Sequence, residues 1–200
     1  IDFKSLPDRY VIKTNHGSGT NIIVSDNSKI NIESTKATLN SWLKHNFAYN
    51  SLELQYKDIE PKIYIEQNIM PEGVSDLPDY KFFCFNGKIF CSYTRINYVF
   101  NHKKGKLGFF DREYKLIPYY RADYDPIEEQ LSKPENYEKM IEVAEKLSEG
   151  FSHVRVDLYN VEGKIYFGEM TFSTCSGYCR FAPEEFDRIL GNQWDIHKGI

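Results

Sequence analysis

Residues 155–177 read Arg-Val-Asp-Leu-Tyr-Asn-Val-Glu-Gly-Lys-Ile-Tyr-Phe-Gly-Glu-Met-Thr-Phe-Ser-Thr-Cys-Ser-Gly and form the most informative segment of the chain. Two runs of alternating apolar residues, at 154–159 and 164–170, flank a short loop rich in turn-forming residues. Alternation on both sides of such a loop is typical of a β-hairpin. The sequence therefore predicts two antiparallel strands joined by a loop at residues 161–163.

One face of this hairpin is predicted to be strongly charged. With a three-residue loop, residue 157 would pair with residue 167, and alternate residues of both strands would share a face. That face would carry Arg155, Asp157, Phe167, Glu169 and Thr171. Carboxylates on neighbouring strands suit Mg²⁺, which takes a few oxygen ligands and leaves room for water and phosphate. A solvent-facing ion network explains the same pattern, and spacing alone does not decide between the two.

The composition describes a folded globular chain of 200 residues, 41% of them hydrophobic and 16% aromatic. That content is enough for one domain or for two small lobes. The formal net charge of −4 gives no electrostatic reason to expect nucleic acid or an anionic membrane as a partner. No apolar run reaches the roughly 18 residues of a membrane span. The chain begins at Ile1 rather than at methionine, so we expect a fragment preceded by a further domain.

The four cysteines are Cys84, Cys91, Cys175 and Cys179. Their spacings match no common zinc-binding pattern, so we expect reduced thiols. The first two lie in a predicted hairpin that turns at Asn86-Gly87, where a two-residue loop would pair Phe82 with Cys91 and leave both cysteines on one face. Unpaired cysteines and the lack of a visible signal peptide together favour a cytoplasmic protein.

A second candidate binding feature lies near the start of the chain. Residues 9–14 and 21–25 are predicted strands, and the loop of residues 15–20 between them reads Asn-His-Gly-Ser-Gly-Thr. Backbone amides of such a loop can turn toward a phosphate, and Lys13 at the end of the first strand could meet the same oxyanion. An ordinary flexible hairpin is the alternative. His16 could act as a base, although loop histidines more often serve as hydrogen-bonding residues.

The remaining elements predict an α+β chain. Apolar periodicity indicates helices at residues 34–47, 134–149 and 183–190. Strand patterns follow at residues 62–69, 79–85 and 88–94. We therefore predict two lobes, residues 1–66 and residues 67–200, each with an antiparallel sheet and helices. A cleft between the lobes would lie between the glycine loop and the charged hairpin.

In its combined motifs the chain resembles the ATP-grasp ligases. In that superfamily an Arg-x-Asp strand is followed by a turn and a Glu-x-Asn strand, and residues 155–157 and 169–171 stand at those places. Residues 13–19, residues 79–87 and the charged hairpin together resemble the TupA-like (teichuronopeptide-biosynthesis-type) ATP-grasp family more closely. The resemblance extends over nearly the whole chain.

The resemblance implies an ATP-grasp fold with a nucleotide cleft between its lobes, and it implies ATP and Mg²⁺ as cofactors. The implied activity is an ATP-dependent carboxylate–amine ligase, or a similar one, that forms a C–N bond through an acyl phosphate. Its substrate would be a carboxylate-bearing sugar or amino acid. The implied setting is bacterial cell-surface polysaccharide synthesis, such as capsule or teichuronopeptide, beside other enzymes of that synthesis.

The resemblance also implies roles for individual residues. They are Asp157, Glu169 and Thr171 for the metal; Lys13, His16, Gly17, Ser18, Gly19 and Lys81 for the phosphates; Glu66 and Gln67 on the strand that receives adenine; and Arg155 with Lys81 for catalysis, Arg155 at the acyl-phosphate oxygens.

One position departs from the family pattern. Thr171 stands where a metal-binding Asn is usual, so a second Mg²⁺ would have one ligand fewer or a weaker hydroxyl ligand. The alternative is therefore a non-catalytic nucleotide- or carbohydrate-binding module that retains the fold. A pure scaffold role would leave Lys13, the glycine loop and the paired carboxylates unexplained.

Overall fold

The computed structural model describes residues 1–74, 76–96 and 105–197. The chain forms two compact units, Ile1–Ile69 and Met70–Ile200, which we call unit 1 and unit 2. Each unit combines antiparallel strands with helices, which confirms the predicted α+β class. None of the helices within the described ranges has the length and apolar character needed to cross a bilayer.

Unit 1 contains β1 (Tyr10–Thr14), β2 (Asn21–Val24), α1 (Ile32–Leu43), α2 (Ala48–Ser51) and β3 (Ile63–Gln67). The strands form an antiparallel sheet in the order β2-β1-β3. Side chains alternate across a strand, so β1 buries Tyr10 and Ile12 and leaves Lys13 on the other face. Tyr10 and Ile12 pack with Leu39 of α1. Helix α1 therefore covers the face of the sheet that is opposite to Lys13.

Helix α1 begins and ends earlier than the predicted range of residues 34–47. Asn31 caps the helix, because its Oδ1 accepts a hydrogen bond of 3.0 Å from the backbone N–H of Ser34. Phe47 lies beyond the last helical residue and packs edge to face against Tyr56, with ring centroids 5.4 Å apart. The helix is confirmed and its predicted boundaries are wrong.

Unit 2 contains β4 (Asp79–Phe85), β5 (Lys88–Ile96), β6 (Lys106–Phe110), β7 (Leu116–Ile117), β8 (Tyr120–Arg121), β9 (Asp125–Pro126), α3 (Tyr137–Ser148), β10 (His153–Val161), β11 (Lys164–Thr171), β12 (Phe181–Ala182) and α4 (Glu185–Gly191). The strand order β11-β10-β4-β5-β6-β7, with β9 paired to β6, makes a seven-stranded sheet, which we call the large sheet. Strands β8 and β12 pair with each other.

The two faces of the large sheet carry different cores. On one face α3 packs Met140 in a cluster with Phe82 of β4, and on the other α4 packs Phe186 in a cluster with Phe83. Lys81 precedes Phe82 along the strand, so its side chain lies on the side of the sheet that α4 covers. We call this side of the large sheet the α4 face.

The turn at Asn86-Gly87 joins β4 to β5 as predicted, but the pairing beyond it differs. Cys84 pairs with Ile89 as expected, and then a bulge shifts the register so that Phe82 pairs with Ser92 instead of Cys91. Cys84 consequently belongs to the core under α3 and Cys91 to the core under α4. The prediction that both cysteines share a face is wrong.

The prediction of four reduced thiols is also wrong for one pair. Cys84 and Cys91 are free and buried, whereas Cys175 and Cys179 form a disulfide. Residues Thr174–Gly177 make a short 3₁₀ turn in which Cys175 and Ser176 take positive φ values of 48° and 54°. This turn brings the Cα atoms of the two bonded cysteines to 5.5 Å, within the range that a disulfide spans.

Candidate active site

The charged hairpin forms, but its turn is shorter than predicted. Val161 pairs with Lys164, so Glu162 and Gly163 make a two-residue turn with φ values of 52° and 77°, as a type I′ turn requires. A bulge at Gly168 shifts the register once more, and Asp157 then pairs directly with Glu169. A Cβ on Gly168 would lie only 3.0 Å from the carbonyl oxygen of Asp157, so the bulge relies on glycine.

The register settles which predicted residues share a face. Arg155 pairs with Thr171, and on its other side β10 pairs Asp157 with Lys81 of β4. Phe167 pairs with Leu158 rather than with Asp157, so its assignment to the charged face is wrong. The α4 face therefore brings together Arg155, Asp157, Glu169, Thr171 and Lys81.

Asp157 lies at the centre of this group and is 1% exposed. The Arg155 guanidinium donates from Nε to Oδ1 at 2.7 Å and from a terminal nitrogen to Oδ2 at 2.8 Å. Lys81 Nζ donates to the same Oδ2. Both carboxylate oxygens are thus satisfied by buried cations.

Lys81 connects this centre to a second carboxylate. Its Nζ lies 2.9 Å from Asp79 Oδ2, which also accepts a hydrogen bond of 2.8 Å from Arg95. Asp79 Oδ1 is buried without a hydrogen-bond partner among the described residues. The α4 face therefore presents an alternating chain of carboxylates and cations, which runs from Glu169 through Arg155, Asp157, Lys81 and Asp79 to Arg95.

The charges of this network stabilise one another. Burial by itself would lower the pKa of Lys81, but the carboxylates of Asp79 and Asp157 outweigh it and raise that pKa above its ordinary value. Burial would likewise raise the pKa of Asp157, yet the positive charges of Lys81 and Arg155 hold it below its ordinary value. Lys81 and Asp157 therefore remain ionised at neutral pH.

Of the two paired carboxylates, Asp157 and Glu169, Glu169 is the accessible one, because 55% of its side chain is exposed. Its Oε1 accepts hydrogen bonds of 2.9 Å from Arg155 and from the Thr171 hydroxyl. The Thr171 hydroxyl in turn accepts one of 2.8 Å from Arg155. Thr171, at the place of the usual Asn, thus orients both Arg155 and Glu169.

Glu169 offers an accessible carboxylate to a hard divalent cation, and Asp157 offers a second one if the cation replaces a hydrogen bond from Arg155 or Lys81. Mg²⁺ is usually held by one or two carboxylates together with water and phosphate oxygens, and Asp157 and Glu169 offer carboxylates from directly paired positions. Arg155 contacts both of them and would share them with a metal. Among residues 1–74, 76–96 and 105–197, no three His, Cys, Asp or Glu side chains come together as a metal-binding group.

In unit 1 the structure joins Lys13 with Glu66. Lys13 lies on β1, Glu66 lies on β3, and their side chains form a salt bridge while remaining 33% and 42% exposed. Glu66 pairs with Val11, which lies on the same face of the sheet as Lys13, whereas Gln67 pairs with the buried Tyr10. The register therefore assigns Gln67 to the opposite face of the sheet.

The glycine loop is divided between two environments. Ser18 and Gly19 are exposed, and Gly19 has a φ of 75°. His16 is buried, with its Nε2 3.1 Å from the carbonyl oxygen of Trp42 in α1, and its Nδ1 has no hydrogen-bond partner among the described residues. A Cβ on Gly17 would lie 3.2 Å from the Phe47 ring. The structure thus places His16 against α1, whereas Lys13 lies on the opposite face.

Sequence patterns assigned no role to Asp79 and Arg95, although both belong to the network. Alternation along β4 already puts Asp79 on the face of Lys81. Its pairing with Arg95 could not be read from the pattern, because the bulge in the β4–β5 pair brings Arg95 opposite Asp79. Strand alternation could therefore have placed Asp79 on the face of Lys81, but it could not have identified Arg95.

A family model described as TupA-like ATPgrasp matches residues 1–195. No curated protein sequence matches the chain significantly. Among solved structures, D-alanine–D-alanine ligase from Bacillus anthracis is similar with a TM-score of 0.51 and 18% identity, over 96% of this chain and 54% of that one. This likeness supports the ATP-grasp fold, and the chain spans about half the length of that ligase.

Two structures of the ATP-grasp ligase PsnB also match. The complex with a phosphomimetic variant of its minimal precursor, Mg and ADP has a TM-score of 0.42 and 11% identity, over 94% of this chain and 47% of that one. The complex with the minimal precursor has a TM-score of 0.41 and 10% identity, over 94% of this chain and 48% of that one.

Proposed function

The chain belongs to the TupA-like ATP-grasp family, and from this we propose that it is an ATP-dependent ligase that joins a carboxylate to an amine through an acyl phosphate. The observation that carries the proposal is the network on the α4 face, in which Arg155 bridges Asp157 and Glu169 while Lys81 holds Asp157 from the neighbouring strand. The last carboxylate of this network, Glu169, is half exposed and is therefore accessible to a ligand.

The proposed chemistry has two steps. An oxygen of the donor carboxylate attacks the γ-phosphorus of ATP, the bond to the bridging oxygen breaks, and ADP leaves with that electron pair. The amine nitrogen then attacks the acyl carbon, loses a proton and expels inorganic phosphate. Because negative charge develops on the transferred phosphoryl group, catalysis depends on fixed positive charges. Arg155 and Lys81 are such charges, held rigidly by buried carboxylates.

Each remaining residue has a matching proposed role. Asp157, Glu169 and the Thr171 hydroxyl would hold Mg²⁺, which when bound would neutralise charge on the phosphate oxygens. Lys13 would bind a phosphate after leaving its salt bridge with Glu66, which would then be available to the adenine amine or the ribose. The exposed Ser18 and Gly19 would offer backbone amides. These roles rest on the family motifs and on the contacts described above.

Family membership also supports a finer proposal about the setting. The donor carboxylate would belong to a sugar acid or an amino acid, and the product would enter bacterial cell-surface polysaccharide. The enzyme would then work in the cytoplasm, where ATP is available, beside other enzymes of that synthesis.

Two measurements test the ligase. ATP with Mg²⁺ should raise the melting temperature of the chain, because a ligand that binds only the native state stabilises it. Hydroxylamine, offered in place of the amine with a panel of sugar acids and amino acids, should trap the acyl phosphate as a hydroxamate in an ATP-dependent reaction. Glu169→Gln should abolish that product, and Glu162→Gln, at the exposed turn of the same hairpin, should not.

The outcomes separate the ligase from the alternative. Stabilisation by ATP and Mg²⁺ without a hydroxamate from any carboxylate would favour a non-catalytic nucleotide-binding module. Absence of any stabilisation at millimolar nucleotide would contradict both. A hydroxamate yield that Glu169→Gln leaves unchanged would contradict the assigned role of the α4 face.

A further inference from the structure

A cavity of about 420 Å³ adjoins the charged network within unit 2. Its walls come from the α4 face of the large sheet, from α4 and from the loop that follows β11. Thr174 of that loop lines the cavity, and its hydroxyl lies 3.4 Å from a terminal nitrogen of Arg155. The volume falls within the range of about 300–1,000 Å³ that is usual for small-molecule sites. The cavity is therefore large enough for a substrate and lies beside the proposed catalytic cation.

Aromatic rings form one wall of this cavity. The His153 ring stacks on Phe85 with centroids 4.5 Å apart and an interplanar angle of 22°, and it lies 4.9 Å from the Trp194 ring. The indole N–H of Trp194 donates a hydrogen bond of 3.1 Å to Ser152, which fixes its orientation, while 44% of the residue remains exposed. Such a wall offers ring faces for stacking and for cation–π contact.

The charge of the lining distinguishes the cavity from the neighbouring network. Among the described residues that line it, Asp187 is the one carboxylate and there is no lysine or arginine. Burial lowers the pKa of His153, so this ring is neutral at pH 7. The lining therefore carries a single negative charge beside aromatic faces. An exposed carboxylate beside ring faces favours an ammonium group over an uncharged analogue, because both aromatic rings and carboxylates bind ammonium groups.

The two neighbouring sites thus differ in the sign of the group that they accept. Arg155 and Lys81 present positive charge to a carboxylate and its phosphate, whereas the cavity presents Asp187 and ring faces. We propose that this cavity binds the amine substrate of the ligase, and that this substrate carries an aliphatic primary amine, protonated at neutral pH, beside a ring with an apolar or aromatic face. The inference rests on the proposed function. It adds the chemical class of the second substrate, either an amino sugar or an arylalkyl amine.

The chain itself supplies the reporter for a binding test. It contains only two tryptophans, Trp42 in unit 1 and Trp194 in the cavity wall. In a Trp42→Phe variant, Trp194 fluorescence is titrated with benzylamine or glucosamine, and with benzyl alcohol, benzoate or glucose as matched probes. Isothermal titration calorimetry on the unaltered chain repeats each titration, so the result does not depend on the reporter variant. Neither measurement needs nucleotide or turnover.

The contribution of the Asp187 charge to amine binding is tested by Asp187→Asn, with Glu185→Gln as a matched control. Both acids are exposed and lie in the first turn of α4, but Glu185 does not line the cavity. At least one amine should bind about tenfold more tightly than its matched alcohol or sugar, a difference within the range of cation–π and ion-pair contacts. Asp187→Asn should abolish this preference, and Glu185→Gln should keep it. The tighter of benzylamine and glucosamine then assigns the ring class.

Three results would overturn the inference: equal affinity for amines and their uncharged analogues, tighter binding of benzoate, or an amine preference that survives Asp187→Asn. The thermal-shift assay with ATP and Mg²⁺, run in parallel, keeps this test separate from that of the proposed function. Stabilisation by ATP without binding of either amine would overturn only the inference about the cavity. Binding of an amine without stabilisation by ATP would overturn the ligase instead.

Discussion

Replacing Asp157 by Asn should strongly destabilise unit 2. Asp157 accepts hydrogen bonds from two buried cations, Arg155 and Lys81, and is itself 1% exposed. Removing one charge of a buried pair leaves the other uncompensated, which costs about 3–5 kcal/mol. Glu169 is a matched contrast, because its carboxylate is half exposed and contacts the same arginine. Glu169→Gln should therefore cost no more than about 1 kcal/mol.

Equilibrium urea unfolding followed by circular dichroism measures both variants. A loss of this size is a large part of the 5–15 kcal/mol that typically stabilises a domain, so Asp157→Asn should show a much lower midpoint. An unchanged midpoint for Asp157→Asn, or an equal loss for Glu169→Gln, would show that the buried Asp157 contacts do not stabilise unit 2.

The same pair gives a pH dependence. The pKa of Asp157 is lower in the folded chain than in the unfolded one. Its contribution to the free energy of unfolding is therefore fully present above the unfolded pKa of about 4 and is lost as pH falls through the folded value. Asp157→Asn should remove this part of the acid limb. A stability–pH curve with the same acid slope in both proteins would contradict the assignment.

Three further predictions concern other parts of the chain. Gly168→Ala should lower the free energy of unfolding in urea by about 1–3 kcal/mol, because the added Cβ would crowd the Asp157 carbonyl. Gly191→Ala, with open space around it, should leave that free energy unchanged. Equal effects of the two substitutions would contradict the role of Gly168 in the bulge. Lys13→Met should weaken ATP binding in calorimetry about tenfold by removing a charged phosphate donor, and unchanged affinity would exclude that role. Burial and the Asp79 carboxylate raise the pKa of Tyr159 to about 12, so its contribution to stability is complete below pH ~10 and lost as pH rises through the folded value. Tyrosinate absorbance during alkaline titration measures this, and full ionisation near pH 10 without unfolding would contradict it.

The predicted charged face depends on the alternation of side chains along each strand and not on which residues pair across the two strands. Alternating residues of a strand share a face whatever their partners are, so Arg155, Asp157, Glu169 and Thr171 could be grouped from the pattern. The predicted three-residue loop is wrong. The shorter turn and the bulge at Gly168 each shift the pairing by one residue, and together they restore the parity of residues 169 and 171. Phe167 lies between the two shifts and was therefore misassigned.

Other features depend on contacts between distant segments, which no local pattern contains. The Asp79–Arg95 pair arises from a bulge on a strand that reads as regular. His16 occupies a glycine loop, and its burial depends on the carbonyl of Trp42 in α1. The Cys175–Cys179 bond depends on two successive residues with positive φ, which is rare for residues other than glycine. The family could still be identified, because its motifs are read from the sequence itself and do not depend on these contacts.

The proposed metal site is tested by the Mg²⁺ dependence of ATP affinity, measured by isothermal titration calorimetry on the wild-type chain, Glu169→Gln and Glu162→Gln. Glu169 is half exposed, so its replacement should leave the fold intact and report on the metal alone. If Asp157 and Glu169 hold Mg²⁺ against the phosphates, Mg²⁺ should tighten ATP binding to the wild-type chain and to Glu162→Gln by at least about tenfold. Glu169→Gln should lose most of that gain. An equal gain in all three proteins, or none in the wild-type chain, would contradict the account.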